Sequence, residues 1–172
     1  MRRWSCFLAL ALAVSAPSLA RADMPPSCAP VTDAEVAGFF DLWNAALATG
    51  DADTVAARYA PDAILLAATA DEPRVGIEAI RDYFEEFLRR QPSGSIVSRT
   101  IVQSCNVAYD VGVYVFTLRG NRPGSTAEMP ARYTFVYEFE DGRWQVAHHN
   151  ASAMPTPVWR VAAGGGVRPQ LR

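Results

Sequence analysis

Lysine is absent from this chain of 172 residues, and histidine occurs only twice. Without a lysine amine, neither Schiff-base catalysis nor a Walker-type phosphate loop is available, so arginine must perform any anion binding. The two histidines, His148 and His149, are adjacent. In a strand their rings would point to opposite faces and could not chelate one ion, and no third ligand stands at a suitable spacing. We therefore predict no metal site.

Motifs for cofactors and nucleophiles are also missing. The sequence has no glycine-rich dinucleotide loop, no Ser-His-Asp or Cys-His signature and no Cys-X-X-Cys redox pair. It therefore predicts no cofactor and leaves any catalytic residues unidentified.

The amino terminus has the composition of a secretory signal peptide. Met1-Arg-Arg is a basic start, Phe7 to Val14 is an apolar run, and Ala20-Arg-Ala22 is a small-x-small cleavage site. An uncleaved anchor is the alternative, but the apolar run is shorter than the ~20 residues that a membrane-spanning helix needs. We expect residues 1–22 to be removed and the protein to be periplasmic or secreted, with no stable membrane insertion afterwards.

Composition favours one acidic globular domain. Half of the residues are apolar, which is enough for a real core. Loss of residues 1–22 would leave 13 basic and 18 acidic side chains, a formal charge of −5. Because nucleic-acid binders normally have a basic face, nucleic acid is not an expected partner.

The cysteines predict one disulfide. Cleavage of the signal peptide would remove Cys6 and leave Cys28 and Cys105. An even pair in an exported chain suggests a structural bridge from the amino-terminal arm to the strand that holds Cys105, although two free thiols are the alternative.

Helical patterns occupy the first half of the domain. Thr32-Asp-Ala-Glu35 has capping-box spacing, and Gly50 suits a left-handed C-cap. Asp51 is placed to cap a second helix through Tyr59, and Ala63 to Ala68 then has strand composition. Apolar side chains at helical spacing define the first and third helices: Val36, Phe39, Phe40, Trp43 and Leu47, then Ile77, Ile80, Phe84, Phe87 and Leu88.

Strand composition dominates the second half, in four segments: 95–105, 107–118, 129–139 and 143–152. Helices followed by a strand meander indicate an α+β fold. Asp141-Gly142 predicts a two-residue type I′ turn. With that turn, Phe135 would face His148, Thr134 would face His149 and Arg132 would face Ala151.

The amino-acid sequence of the last hairpin resembles that of a known family. Asp141-Gly-Arg-Trp-Gln145, followed by a histidine-rich strand ending in Ser and Pro155, is similar to the association domain of calcium/calmodulin-dependent kinase II and its bacterial stand-alone relatives, within the NTF2-like or SnoaL-like superfamily. The likeness covers roughly Thr32 to Pro155 and includes Ala48-Thr-Gly-Asp51, Tyr59-Ala-Pro-Asp-Ala63 and the segment Gly76 to Phe84.

The resemblance implies three N-terminal helices packed on a curved, mostly antiparallel sheet that leaves a cone-shaped cavity. It places the domain at residues 32–156. Pro25, Pro26 and Pro30 predict an extended arm at 23–31, and the glycine run at 164–166 predicts a flexible tail at 157–172. The superfamily contains isomerases, cyclases, dehydratases and assembly modules, so the fold alone cannot select a function.

Arg132 is the first candidate for ligand binding, because it lies inside a strand at a position where the kinase domain has an arginine of its anion-binding cavity. The resemblance thus suggests a small carboxylate-bearing or other anionic ligand. Pairing with Glu128, or exposure on an edge, is the alternative. Under the predicted register His149 and Thr134 would share the face of Arg132, whereas a three-residue turn would exchange the two histidines. Trp43 and Tyr59 are candidates for the cavity mouth, with core packing as the alternative.

Two further hypotheses stay open. A ketosteroid-isomerase type of enzyme would need a carboxylate base and a hydroxyl donor in an apolar cavity. Candidate parts are Asp110, Glu138, Tyr83, Tyr109 and Tyr114. A protein-assembly module without catalysis is the other. The apolar stripe of the last hairpin is either core or a subunit interface, and the superfamily favours a homodimer or a larger homo-oligomer. This stripe is Tyr133, Phe135, Tyr137, Phe139, Trp144 and Val146.

Overall fold

The computed structural model describes residues 28–155, 158–161 and 167–170. The predicted signal peptide and the start of the arm lie outside these residues. Three α-helices and eight strands are present in the described part, with one 3-10 turn at Leu88–Arg90. In chain order they are α1 (Asp33–Ala48), α2 (Ala52–Ala56), β1 (Tyr59–Leu66), β2 (Arg74–Val75), α3 (Gly76–Phe87), β3 (Ser93–Ser104), β4 (Val107–Arg119), β5 (Thr126–Glu140), β6 (Arg143–Ala153), β7 (Val158–Val161) and β8 (Val167–Gln170).

The sheet confirms the α+β class. Six strands follow the order β2-β1-β6-β5-β4-β3, and every neighbouring pair is antiparallel except β1 with β6. The expected group of three N-terminal helices is not observed, since β1 and β2 separate α2 from α3. The helix predicted to run from Asp51 through Tyr59 ends at Ala56, and Tyr59 instead begins a strand.

Local signals set the ends of α1 and α2. Thr32 and Glu35 form the predicted capping box, and Gly50 after the helix has φ +71°. Asp51 accepts hydrogen bonds from the backbone N–H groups of Asp53 and Thr54, which caps α2. The predicted apolar stripe of α1 is buried, apart from the half-buried Phe39.

The β5–β6 hairpin begins as predicted and then changes register. Asp141 and Gly142 both have positive φ, at +50° and +79°, as a type I′ turn requires. Phe139 pairs with Trp144 and Tyr137 with Val146. A bulge at Ala147 follows, since the next pair is Val136 with His148.

Because of this bulge, the predicted pairing of β5 with the second half of β6 is wrong. Phe135 pairs with His149 rather than His148, Thr134 with Asn150, and Arg132 with Ser152. One extra residue moves every later side chain of β6 to the other face of the sheet relative to β5. His149 therefore joins the aromatic face, and Arg132 and Thr134 lie on the opposite, outer face.

The aromatic stripe is core rather than interface. Tyr133, Phe135, Tyr137 and Val146 are buried, and Phe40 of α1 lies within 6.4 Å of Tyr133 and 6.2 Å of Phe135 between ring centroids. At the turn end, the half-buried Phe139 and Trp144 continue the stripe, and Phe39 stacks on Trp144 at 5.9 Å.

The predicted disulfide joins Cys28 to Cys105, with a Cα–Cα distance of 4.7 Å. Next to it, the backbone N–H of Ala29 donates to Asn106 Oδ1 at 2.7 Å. These contacts attach the arm to the β3–β4 turn.

In the segment predicted as a flexible tail, β7 and β8 pair antiparallel, with Val158 opposite Gln170. The glycine run at 164–166 lies outside the described residues. Among the helices of the described part, none is long and apolar enough to cross a membrane.

Candidate functional site

Two neighbouring cavities lie between α3 and the sheet. The larger, called here the outer cavity, has a volume of about 370 Å³, within the usual range for a small-molecule site. Its wall is built by the loop after β1, by α3 and by the end of β4. The lining residues are Thr69, Ala70, Asp71, Arg74, Asp82, Tyr83, Glu86, Phe87, Arg90 and Leu118.

The smaller cavity, called the inner chamber, has a volume of about 20 Å³. That space suits one water molecule or one oxygen-sized group of a ligand. Its lining is mostly apolar and includes Trp43, Tyr114, His149 and Phe116. Thr69, Tyr83 and Phe87 belong to both walls, and a hydrogen bond of 3.0 Å joins Thr69 Oγ1 to Tyr83 Oη at this boundary.

A buried chain of hydrogen bonds orients His149. Trp43 Nε1–H donates to Tyr59 Oη at 3.0 Å, and Tyr59 Oη lies 3.0 Å from His149 Nδ1. An indole N–H can only donate, so Tyr59 Oη is the acceptor in its bond with Trp43. The Tyr59 O–H is then free to donate a hydrogen bond to His149 Nδ1. The second ring nitrogen of His149, Nε2, is buried and has no hydrogen-bond partner among the described residues.

Burial keeps His149, Tyr59 and Tyr114 uncharged at neutral pH. Burial, and after it the charge of His148, lowers the pKa of His149 to about 3. Burial raises the pKa of Tyr59 and of Tyr114 above the ordinary tyrosine value. At neutral pH the imidazole is therefore uncharged, and it is suited to donate a hydrogen bond rather than to exchange protons as a base.

The outer cavity contains two arginines that have no acidic partner among the described residues, Arg74 and Arg90. Arg74 Nε is buried without a hydrogen bond in the same part of the chain, whereas Arg90 Nε donates to the Arg119 carbonyl at 2.9 Å. Two of the cavity's carboxylates lie beside other arginines, Asp82 at 2.8 Å from Arg81 and Glu86 at 2.7 Å from Arg89. Asp71 is the remaining acid of the wall.

A second polar cluster lies in the core under α1. Asp110 is fully buried, 2.9 Å from Arg99 Nε, and accepts a hydrogen bond of 2.8 Å from Tyr133 Oη. The Arg99 guanidinium lies 5.6 Å above the ring centre of Phe40. Burial raises the pKa of Asp110. Asp110 lines neither cavity, and the cluster joins this buried carboxylate to the half-buried Arg99.

The sequence-predicted ligand residues divide between two places. Trp43 and His149 line the inner chamber, and Tyr59 lies behind them as the residue that orients His149. Arg132 is exposed and Thr134 half-buried on the outer face of the sheet.

The isomerase candidates are scattered as well. Tyr83 and Tyr114 line cavities, whereas Tyr109 and Glu138 are exposed. Arg74 and Thr69 were not predicted, because they lie in and after a loop that no periodic pattern describes.

The described part of the chain contains no group of three or more His, Cys, Asp or Glu side chains able to hold a metal ion.

The fold is similar to that of solved NTF2-like proteins. Several solved structures share it at low sequence identity. An NTF2-like protein from Novosphingobium aromaticivorans aligns with a TM-score of 0.61 and 10% identity over 77% of this chain and 84% of its own. A putative scytalone dehydratase from the same organism aligns with a TM-score of 0.62 and 15% identity over 70% of this chain and 82% of its own.

The chain belongs to the calcium/calmodulin-dependent protein kinase II association domain family, whose model matches residues 32–155. A solved structure from Xanthomonas campestris, described as a putative association domain of this kind, is 45% identical and covers 77% of this chain and 98% of its own length, with a TM-score of 0.68. No curated protein matches the chain in sequence.

Proposed function

We propose that this protein is an exported homodimer that binds a small anionic or carboxylate-bearing molecule in the outer cavity. The observation that carries the ligand proposal is Arg74. This residue lines the cavity and has no acidic partner among the described residues, and its Nε atom is buried there without a hydrogen bond, which is costly. A ligand carboxylate in the cavity would pair with the Arg74 guanidinium, and Arg90 lines the same cavity.

This proposal moves the anion contact from Arg132 to Arg74. Arg132 is exposed on the outer face of the sheet, whereas both cavities lie on the helix side. An exposed guanidinium is already hydrated, so a carboxylate gains little there. His149 and Trp43 keep a role in ligand binding through the inner chamber, and Tyr59 acts through His149.

Export is supported by the composition of residues 1–22 and by the Cys28–Cys105 bridge, since structural disulfides persist in oxidising compartments. Dimerisation is supported by the outer sheet face. Tyr109 lies between Val136 of β5 and Val102 of β3, and Val111 and Val113 follow it on the same face of β4. These five side chains form an apolar patch beside Arg132 that is half-buried to exposed. A partner copy would remove this patch from water.

The proposed site is tested by titrating benzoate and hexanoate into three proteins: the mature wild type, Arg74→Gln and Arg132→Gln. Calorimetry should show at least a tenfold loss of affinity in Arg74→Gln, the size of a charge-assisted hydrogen bond, and little change in Arg132→Gln. The reverse order would restore Arg132 as the anion contact. Native mass spectrometry of the protein purified from its own compartment, with and without denaturation, reports the subunit number and any co-purifying acid.

An enzyme of the SnoaL-like kind is the second candidate. The specific observation in its favour is that two neutral donors, His149 and Tyr114, line a chamber sized for one oxygen, an arrangement able to stabilise a developing oxyanion. Proton transfer would also need a base, and the described wall of the inner chamber contains no carboxylate. Turnover of any co-purifying molecule by the wild type, lost in His149→Phe, would favour this function.

A further inference from the structure

His149 is a wall residue of the inner chamber, and its Nε2 atom is buried without a hydrogen bond among the described residues. His149 is 3% exposed and lines the chamber, and its Nδ1 atom is already occupied by Tyr59. Nε2 has no partner among the described residues. Buried polar atoms are nearly always paired, and because His149 also lines the chamber, Nε2 is a candidate contact for a group that enters it.

The hydrogen-bond chain decides what Nε2 offers. Tyr59 accepts from the Trp43 N–H and has no acceptor for its own proton in the described structure other than His149 Nδ1. Nδ1 is then the accepting nitrogen, and the ring proton lies on Nε2. The chamber therefore presents an N–H donor, and its occupant must supply an acceptor.

The wall of the chamber restricts the acceptor to an uncharged one. Its described lining contains no arginine, and its other polar groups are the hydroxyls of Thr69, Tyr83 and Tyr114. A carboxylate placed there would lose its hydration without gaining a counter-charge, which is very unfavourable. A carbonyl oxygen loses much less hydration, and a single N–H can satisfy it.

We propose that the ligand is a small oxo acid, whose ketone or aldehyde oxygen accepts from His149 Nε2 in the inner chamber while its carboxylate binds Arg74 in the outer cavity. The carboxylate end rests on the function proposed above, and the carbonyl end rests on His149 alone. The carbon chain between the two groups passes the Thr69–Tyr83 boundary, where their hydrogen bond must open to admit it.

Three series of probes separate the two ends. The first is levulinate and its next three longer homologues, which place a methyl ketone at increasing distance from the carboxylate. The second is the simple carboxylates of the same lengths, and the third is the corresponding methyl ketones without a carboxylate. Calorimetric titrations should give one preferred length among the oxo acids, bound about tenfold or more tightly than its carboxylate match, the usual size of one buried hydrogen bond.

Matched variants assign the carbonyl end. His149→Phe keeps an aromatic ring over Phe135 but removes the donor, so the gain from the ketone should disappear. His148→Gln changes the adjacent histidine on the outer face and should leave the gain intact. Should His149→Phe fail to fold, nitrogen NMR of histidine-labelled wild type reports the same group: a protonated Nε2 that shifts when the best oxo acid is added, and an unprotonated Nδ1.

The carboxylate contact and the carbonyl contact of the proposed oxo acid can each be contradicted separately. Carboxylates that bind through Arg74 with no gain from a ketone would leave the proposed function standing and overturn the oxo acid. Ketones that bind through His149 with no gain from a carboxylate would overturn both the oxo acid and the anion site. A proton found on Nδ1 rather than Nε2 would remove the basis of the carbonyl contact.

Discussion

The imidazole of His149 lies on the ring of Phe135, with 3.9 Å between ring centroids and 19° between the planes. This stacking exists because the bulge at Ala147 brings these two residues opposite each other. His149 is thereby enclosed among aromatic side chains. The Trp43 ring meets the imidazole edge-on, with 5.2 Å between ring centroids. The neutral donor of the inner chamber is thus a product of strand register.

Acidification should destabilise the protein through His149. Its pKa is lowered to about 3 in the folded chain, from 6.5, so the unfolded chain binds the extra proton between these values. The stabilising contribution of neutral His149 is therefore complete above pH 6.5 and is lost as the pH falls towards 3. The full effect is on the order of 4 to 5 kcal/mol.

Urea unfolding of the wild type and His149→Gln between pH 7 and pH 4 checks this prediction. The stability difference between the two chains should narrow as the pH falls. Asp110, whose raised pKa acts in the opposite direction, is present in both chains and cancels in the comparison. Parallel stability curves over this range would contradict the burial of a neutral imidazole.

Tyr59→Phe should lower stability by about 1 to 3 kcal/mol, because it leaves both the Trp43 N–H and His149 Nδ1 without their buried partner. Tyr109→Phe is the matched control, since Tyr109 is 40% exposed and should change stability by less than about 0.5 kcal/mol. Thermal and urea unfolding measure both. Equal effects of the two substitutions would show that the hydrogen-bond chain is not an important source of stability.

Removal of the disulfide by the double substitution Cys28→Ser and Cys105→Ser should cost about 4 to 5 kcal/mol. The bridge closes a loop with a sequence separation of 77, and the chain-entropy treatment gives a cost of this size. The comparison is urea unfolding of the variant and of the wild type under oxidising conditions. Adding a reductant should destabilise the wild type by a similar amount and leave the variant unchanged.

Asp110→Ala should destabilise the protein by about 3 kcal/mol or more, because it leaves Arg99 without its counter-ion and Tyr133 without its acceptor. Adding Arg99→Met in the same chain should recover part of the loss, since the uncompensated charge is then gone. Double-mutant unfolding experiments measure the coupling. Additive losses in the double variant would mean that the pair is not coupled.

The three helices and the strands β1 and β3 to β6 could be located because they have local signals, whereas β2, β7 and β8 were not predicted and α2 ends three residues earlier than expected. The capping box at Thr32, the positive φ at Gly50 and the Asp141-Gly142 turn depend on residues within four positions of one another. Ala147 has no such signal, since nothing in an alanine between Val146 and His148 indicates an extra residue. The assignment of His149 to the face of Arg132 failed for that reason alone.

The cavity was less accessible to prediction. The position of Arg74 as a wall residue depends on how the loop after β1 meets α3, which is a tertiary contact without a sequence period. The face of Arg132 follows from strand alternation, but only a correct pairing with β6 relates it to His149.

The extra residue in β6 also affects how this chain should be compared with others. Counting along β6 from the Asp141-Gly142 turn and counting back from Pro155 assign residues to opposite faces of the sheet, because Ala147 is an extra residue. A relative whose β6 lacks the bulge must be aligned with a gap at that position. Without the gap, its chamber-facing side chain would be matched to His148, which faces outward, and a shared chemistry would be overlooked or wrongly assigned.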